Sequence, residues 1–128
     1  MNIRLALTST AALTLLALAA APLAVAKDGD ILRRGTCTGA STSKIKLSEE
    51  GGRIEVELEV DQNRRGVRWN VVITQAGGRS WRFARVTRGP SGSFEARIVA
   101  LNRAGVDTFV GTATRPGETC RARASASF

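Results

Sequence analysis

The run RIEVELEVD at residues 53–61 decides how the chain is read. Successive side chains of an extended strand point to opposite faces, so Ile54, Val56, Leu58 and Val60 share one side and Glu55, Glu57, Glu59 and Asp61 the other. A strand of that kind has one face in a core and one in water, the usual state of an antiparallel sheet. The preceding SKIKLSEEGG at 43–52 alternates with the same period. With residues 49–52 as the loop, the spacing predicts a hairpin in which Leu47 faces Ile54 and Ile45 faces Val56, while Lys46 faces Glu55 and Lys44 faces Glu57. Each opposite-charge pair across strands then contributes about a few tenths of a kcal/mol.

A second hairpin is predicted from VRWNVVITQ at 67–75 and RSWRFARVTR at 79–88. A loop of three residues, Ala76 to Gly78, sets Ile73 opposite Trp81 and Val71 opposite Phe83, so that all four side chains enter the core. A two-residue loop would slip the register by one and split the apolar faces. The chosen register also sets Trp69 opposite Arg85, in reach of a cation–π contact. Arg68, Arg82 and Arg88 then face outward beside Asn70 and Thr74, a candidate polyanion-binding patch. Their alternative role is solvated charge whose stems cover apolar surface.

Three further strands follow: SFEARIVAL from 93, with Phe94, Ala96, Ile98 and Ala100 inward, VDTFVGTAT from 106, and TCRARASAS from 119. GPSG, NRAG and RPGE supply the turns between them. With the segment around Cys37, this predicts an all-β sandwich of seven or eight antiparallel strands as a single domain over residues 31–128.

The first 26 residues predict a secretory signal: Asn2 and Arg4, an uncharged apolar run, and the small-x-small ending Ala24-Val25-Ala26, with cleavage after Ala26. An uncleaved membrane anchor is the alternative, weakened by the Ala, Thr and Pro22 content of the run. Residues 27–30, KDGD, read as a flexible N-terminal segment. In an exported chain the two cysteines, Cys37 and Cys120, are expected to pair. A bridge spanning that much chain stabilises by roughly 4–5 kcal/mol in the chain-entropy model.

Several chemistries lack their residues. The sequence contains no histidine, which removes the commonest general base and metal ligand at neutral pH. GPSGS at 89–93 is not a nucleophile elbow, and no imidazole exists to activate a serine. Glu55, Glu57 and Glu59 have only the repeat of any strand, with lysines opposite. Asp61, Gln62 and Asn63 offer oxygen atoms, but Arg64 and Arg65 beside them repel a cation, and no EF-hand spacing is present. No enzyme activity, cofactor or metal is therefore expected. The formal net charge of +8 favours loose attraction to polyanions at low salt. With Trp81 and Phe83 assigned to the core, the outward arginines have no stacking aromatic, and nucleic acid is not the expected partner.

The strand order, the position of Trp69 and the run AGVDTFVGTA at 104–113 resemble an immunoglobulin-like sandwich. Phe109 stands where such domains carry a corner tyrosine, and Gly111 where they carry a cysteine. The succession EVDQNR, Trp69, GPSGSFE and NRAG is similar to that of small exported single-disulfide proteins of actinobacteria. That resemblance implies a compartment and a fold, and supplies no activity. The expectation is a secreted, extracellular, non-catalytic binding or envelope-associated module, monomeric and without a membrane span after cleavage. Its expected partner is an extracellular protein or an anionic envelope polymer. The alternatives are a protease inhibitor presenting GPSGSF or RRGVR, and a carrier of small apolar ligands.

Overall fold

The structure, a computed structural model, describes residues 29–128; the signal segment and its cleavage site lie outside the described residues. The strands are β1 (Ile31–Arg34), β2 (Thr36–Cys37), β3 (Thr42–Glu50), β4 (Arg53–Asp61), β5 (Arg68–Gln75), β6 (Ser80–Val86), β7 (Ser93–Leu101), β8 (Asp107–Arg115) and β9 (Glu118–Ala126). They form two antiparallel sheets, one in the order β1-β3-β4-β7 and one in the order β2-β9-β8-β5-β6. The inward side chains of both sheets make one core around Trp69, Phe109, Ile45, Leu47, Leu58 and Ile73, all fully buried. Among the described residues nine strand segments stand where seven or eight were expected, because the stretch ending at Cys37 is divided. Its first part pairs with β3 and its second with β9, so the chain changes sheets at Gly35.

The β3–β4 hairpin corrects the predicted pairing. Leu47 lies opposite Val56 and Ile45 opposite Leu58, with Lys46 opposite Glu57 and Lys44 opposite Glu59. The strands run on through Glu50 and Arg53, and the turn is only Gly51-Gly52, with φ of 58° and 76°. Two left-handed residues in succession are what a tight two-residue hairpin turn requires, and glycine supplies them without strain. A slip of two preserves which face each side chain takes, so the apolar face and the charge pairing both survive it. Lys44 meets Glu59 at 3.1 Å and Lys46 meets Glu57 at 2.8 Å.

The β5–β6 register is as predicted, with Ile73 opposite Trp81, Val71 opposite Phe83 and Trp69 opposite Arg85. Two side-chain expectations need correction. Trp81 and Phe83 point inward but are only half-buried, because β6 is the edge of its sheet and little of β7 covers it. The cation over Trp69 is Arg115, 5.4 Å from the ring centroid, whereas Arg85 lies over Phe83 at 4.6 Å. Arg115 reaches Trp69 from the end of β8, whose pairing with β5 the turn signals did not specify.

Cys37 and Cys120 are bonded, and they lie directly opposite each other on β2 and β9. The bridge therefore fastens the sheet-changing segment to the last strand within one sheet rather than joining the two sheets. Across the sandwich, Gly111 of β8 packs against Leu58 of β4: a methyl added at Gly111 would stand 2.8 Å from Leu58 Cδ1. The absence of a side chain at Gly111 thus admits a full leucine between the sheets.

Two buried carboxylates hold the two ends of the sandwich. Asp107 accepts hydrogen bonds from the Arg103 backbone N–H, Arg103 Nε and Gln75 Nε2, each at 2.8 Å, and Gln75 also donates to the Leu101 carbonyl at 2.9 Å. Glu118 accepts from Ser41 N at 3.1 Å and Ser41 Oγ at 2.7 Å, and pairs with Arg115 at 3.3 Å. Desolvation pushes the Asp107 carboxyl up, but the hydrogen bonds from Arg103 and Gln75 and the Arg103 charge outweigh it, leaving the group below its ordinary value. Glu118 is likewise depressed: desolvation opposes, and the hydrogen bonds from Ser41 with the charge and hydrogen bond of Arg115 prevail.

A carboxyl depressed by folding contributes stability that is full above the unfolded pKa, about 4, and is lost as the pH falls through the folded value. Denaturant titrations are expected to show stability declining below about pH 4, with a shallower decline for Asp107→Asn, which starts less stable near neutral pH. An equally steep decline would show that Asp107 does not carry the effect. Gly111→Ala is expected to cost about 1 kcal/mol or more by overpacking; the check is a lowered denaturation midpoint whose loss is smaller when Gly111→Ala is made in the Leu58→Ala background.

Candidate anion-binding sheet face

Outward positions of the five-stranded sheet follow from the registers. Arg82 of β6 lies opposite Val72 of β5, Val72 opposite Thr112 of β8, and Thr112 opposite Arg121 of β9. The adjacent row runs through Ser80, Thr74, Val110 and Arg123, and the next through Ala84, Asn70, Thr114 and Thr119. Arg68 extends this face at the far end of β5, opposite Val86. Arg68, Arg82, Arg121 and Arg123 are all exposed. None of them has an ion-pair partner among the described residues.

These outward rows contain no carboxylate. Asp107 and Glu118, the acidic residues of β8 and β9, take the inward parity and are buried. Serine, threonine and asparagine fill most of the remaining positions, and the pairs Thr74–Ser80 and Thr108–Ser125 share hydroxyl hydrogen bonds at 3.0 and 2.7 Å. The rows contain no aromatic either, since Trp81 and Phe83 belong to the other side of β6.

The outer face of the four-stranded sheet is the opposite case. Glu55, Glu57, Glu59 and Glu95 stand there with Lys44, Lys46 and Arg97. Arg97 alone reaches three of the carboxylates, Glu55 at 3.4 Å, Glu95 at 2.8 Å and Glu57 at closer range. Burial raises the Glu55 carboxyl above its ordinary value against the pull of Arg97, and the hydrogen bond to Glu57 raises the Lys46 ammonium. The centre of this sheet is compensated locally, with Arg34 and Arg53 at its margins outside the ion pairs, whereas none of the four outward arginines of the other sheet meets a carboxylate.

Of the three arginines singled out from sequence, the structure brings Arg68 and Arg82 to one face but separates Arg88 from them. β6 ends at Val86, and the backbone of Arg88 pairs with Ser93, at the start of β7 in the opposite sheet. Arg88 lines a cleft with Glu59 and Glu95 instead. Arg121 and Arg123 take its place. Their alternation in TCRARASAS and the RPGE turn before it were visible, but nothing in the sequence set β8 beside β5, the pairing that brings Arg82 onto the same face.

The other segments weighed for function have structural duties. Asp61 accepts a hydrogen bond from Asn63 N at 3.1 Å, and Gln62 Oε1 accepts from Trp69 Nε1 at 3.0 Å. The RRGVR and GPSGSF segments lie side by side. Thr87 Oγ1 donates to the Arg64 carbonyl at 2.6 Å and accepts from Val67 N at 2.9 Å, while Gln62 N donates to the Gly92 carbonyl. No helix of the described residues is long and apolar enough to cross a membrane.

Comparison with known protein families, curated proteins and solved structures finds no match to the chain. Arginines held on a sheet without partners contribute little to folding. The double variant Arg121→Ser/Arg123→Ser is expected to keep the wild-type denaturation midpoint to within about 0.5 kcal/mol; a larger loss would make these arginines structural.

Proposed function

We propose that the chain is an exported, non-catalytic binding module with an immunoglobulin-like sandwich that holds an anionic polymer on the outer face of its five-stranded sheet. The reading of the fold as immunoglobulin-like rests on the order β3-β4-β7 against β9-β8-β5-β6, which matches strands A-B-E packed on G-F-C-C′. The Leu58–Gly111 contact occupies the place of the inter-sheet bridge in that scheme. Export is supported by the bonded Cys37–Cys120 pair, since disulfides persist in oxidising compartments.

The observation that carries the binding role is the set of unpaired arginines on a carboxylate-free, hydroxyl-rich surface. Arg121 and Arg123, two residues apart on one strand, lie roughly 7 Å from each other and can serve one anionic group. Arg82 is three strand spacings away, about 14 Å, too far to share that group. The spacing therefore suits a ligand whose charges repeat along a chain over a small isolated anion. Guanidinium forks bind phosphate or sulfate, and the neighbouring hydroxyls can bond to a sugar or polyol backbone. A face without aromatics gives bases nothing to stack on, which disfavours nucleic acid.

Chromatography on a sulfated and on a phosphorylated resin tests this reading. The wild type is expected to elute at clearly higher salt than Arg121→Ser/Arg123→Ser or Arg82→Ser. Arg33→Ser/Arg34→Ser, which removes the same charge as the first variant from the other sheet, is expected to elute close to wild type. Equal losses from both double variants would mean that net charge alone governs retention and would refute a face-specific site.

A further inference from the structure

The sandwich is closed on one side by β1 and β2, which pass from sheet to sheet, and open on the other, where the edge strands β6 and β7 meet. Arg85 Nε bridges this opening to the Glu95 carbonyl at 3.3 Å, and a cleft lies on either side of that bond. The cleft lined by Glu59, Glu95, Arg85 and Arg88 mixes both signs of charge. The second cleft, of about 170 Å³, differs: Trp81, Val99, Ala100 and Leu101 form its apolar wall, Gln75, Arg53 and Arg79 complete it, and no carboxylate among the described residues lines it.

Three features of this cleft point to a ligand. Val99 and Leu101 are 46% and 61% exposed, which concentrates exposed aliphatic surface beside a half-buried Trp81. The Gln75 amide is already committed to Asp107 and Leu101, so the polar character of the site is cationic. Arg79 is held over the Trp81 ring, 5.5 Å from its centroid, and has no ion pair among the described residues. Arg53 is the register partner of Glu50 across the hairpin turn, and Glu55, opposite Val99, is engaged by Arg97. Neither Arg53 nor Arg79 has an ion pair among the described residues, and Arg79 is the one fixed against the apolar wall, over Trp81.

We infer that this cleft binds a small amphiphile with a single carboxylate, its apolar body along Trp81, Val99 and Leu101 and its carboxylate on Arg79. Arg79 is exposed, so an uncharged apolar molecule would leave its guanidinium solvated and gain nothing from it, and a cationic one would be repelled by it. The site lies between the sheet edges and shares none of Arg68, Arg82, Arg121 or Arg123, so it stands or falls independently of the polymer-binding face.

Tryptophan emission tests the inference, because Trp81 borders the cleft and Trp69 is fully buried elsewhere. Octanoate, octanol and octyltrimethylammonium are titrated separately into the protein below their micelle-forming concentrations. Octanoate is expected to change the emission saturably and to bind at least about tenfold tighter than octanol, with no saturable response to the cation. Arg79→Gln is expected to bring octanoate down to the affinity of octanol, and Trp81→Phe to abolish the response while Trp69 still emits. Equal affinity for octanoate and octanol, an unchanged response in either variant, or no saturable response to octanoate would overturn the assignment. Far-UV circular dichroism of both variants separates a lost site from a lost fold.

Discussion

Strict two-residue alternation is the constraint on which the rest of this structure depends. Two sheets about 10 Å apart leave one apolar layer between them, so every strand must send alternate side chains inward and the remainder to water. In β4 this rule places three glutamates and Asp61 on one surface. In β9 it places Arg121 and Arg123 outward and sends Cys120, Ala122, Ala124 and Ala126 into the core. The same parity that builds the core therefore sorts the charges. One surface becomes a compensated network around Arg97, and the other carries arginine with no acid among its outward rows.

The two carboxylates that break the rule do so with partners. Asp107 and Glu118 take inward positions at strand ends, where burying a charge is costly unless it is hydrogen-bonded and paired. Arg103, Gln75, Ser41 and Arg115 provide those bonds, and in doing so they tie loops to strand ends. The inward placement of both carboxylates has a further consequence. It withdraws from the surface of the five-stranded sheet the two negative charges that would otherwise offset part of its four arginines.

Parity was legible in the sequence, and partnership only partly so. RIEVELEVD and SKIKLSEEGG specify which side chains face the core, and they do so equally well in two registers that differ by two residues. Only the conformation of Gly51-Gly52 distinguishes a two-residue turn from a four-residue one. The β5–β6 pairing was recoverable because a one-residue slip would have exposed Trp81 and Phe83. Pairings between distant strands left no such signal. Arg115 over Trp69 and Arg121 in one row with Arg82 depend on the pairing of β5 with β8, strands far apart along the chain, whereas the departure of Arg88 is local, its backbone pairing with Ser93. The candidate face was accordingly half legible: Arg68 and Arg82 were placed on it, Arg88 was placed there but lies elsewhere, and Arg121 and Arg123 were not singled out.

The central claim is that the outer face of the five-stranded sheet, and no other surface, receives an anionic polymer. The most direct measurement is backbone amide chemical-shift mapping while a soluble sulfated or phosphorylated polysaccharide is titrated into the protein. The account predicts that the largest changes fall on Val72, Arg82, Thr112, Arg121 and Arg123 and fade as salt is raised, with β3 and β4 nearly silent. Changes spread over both sheets, or centred on Lys44, Lys46 and Arg97, would contradict it.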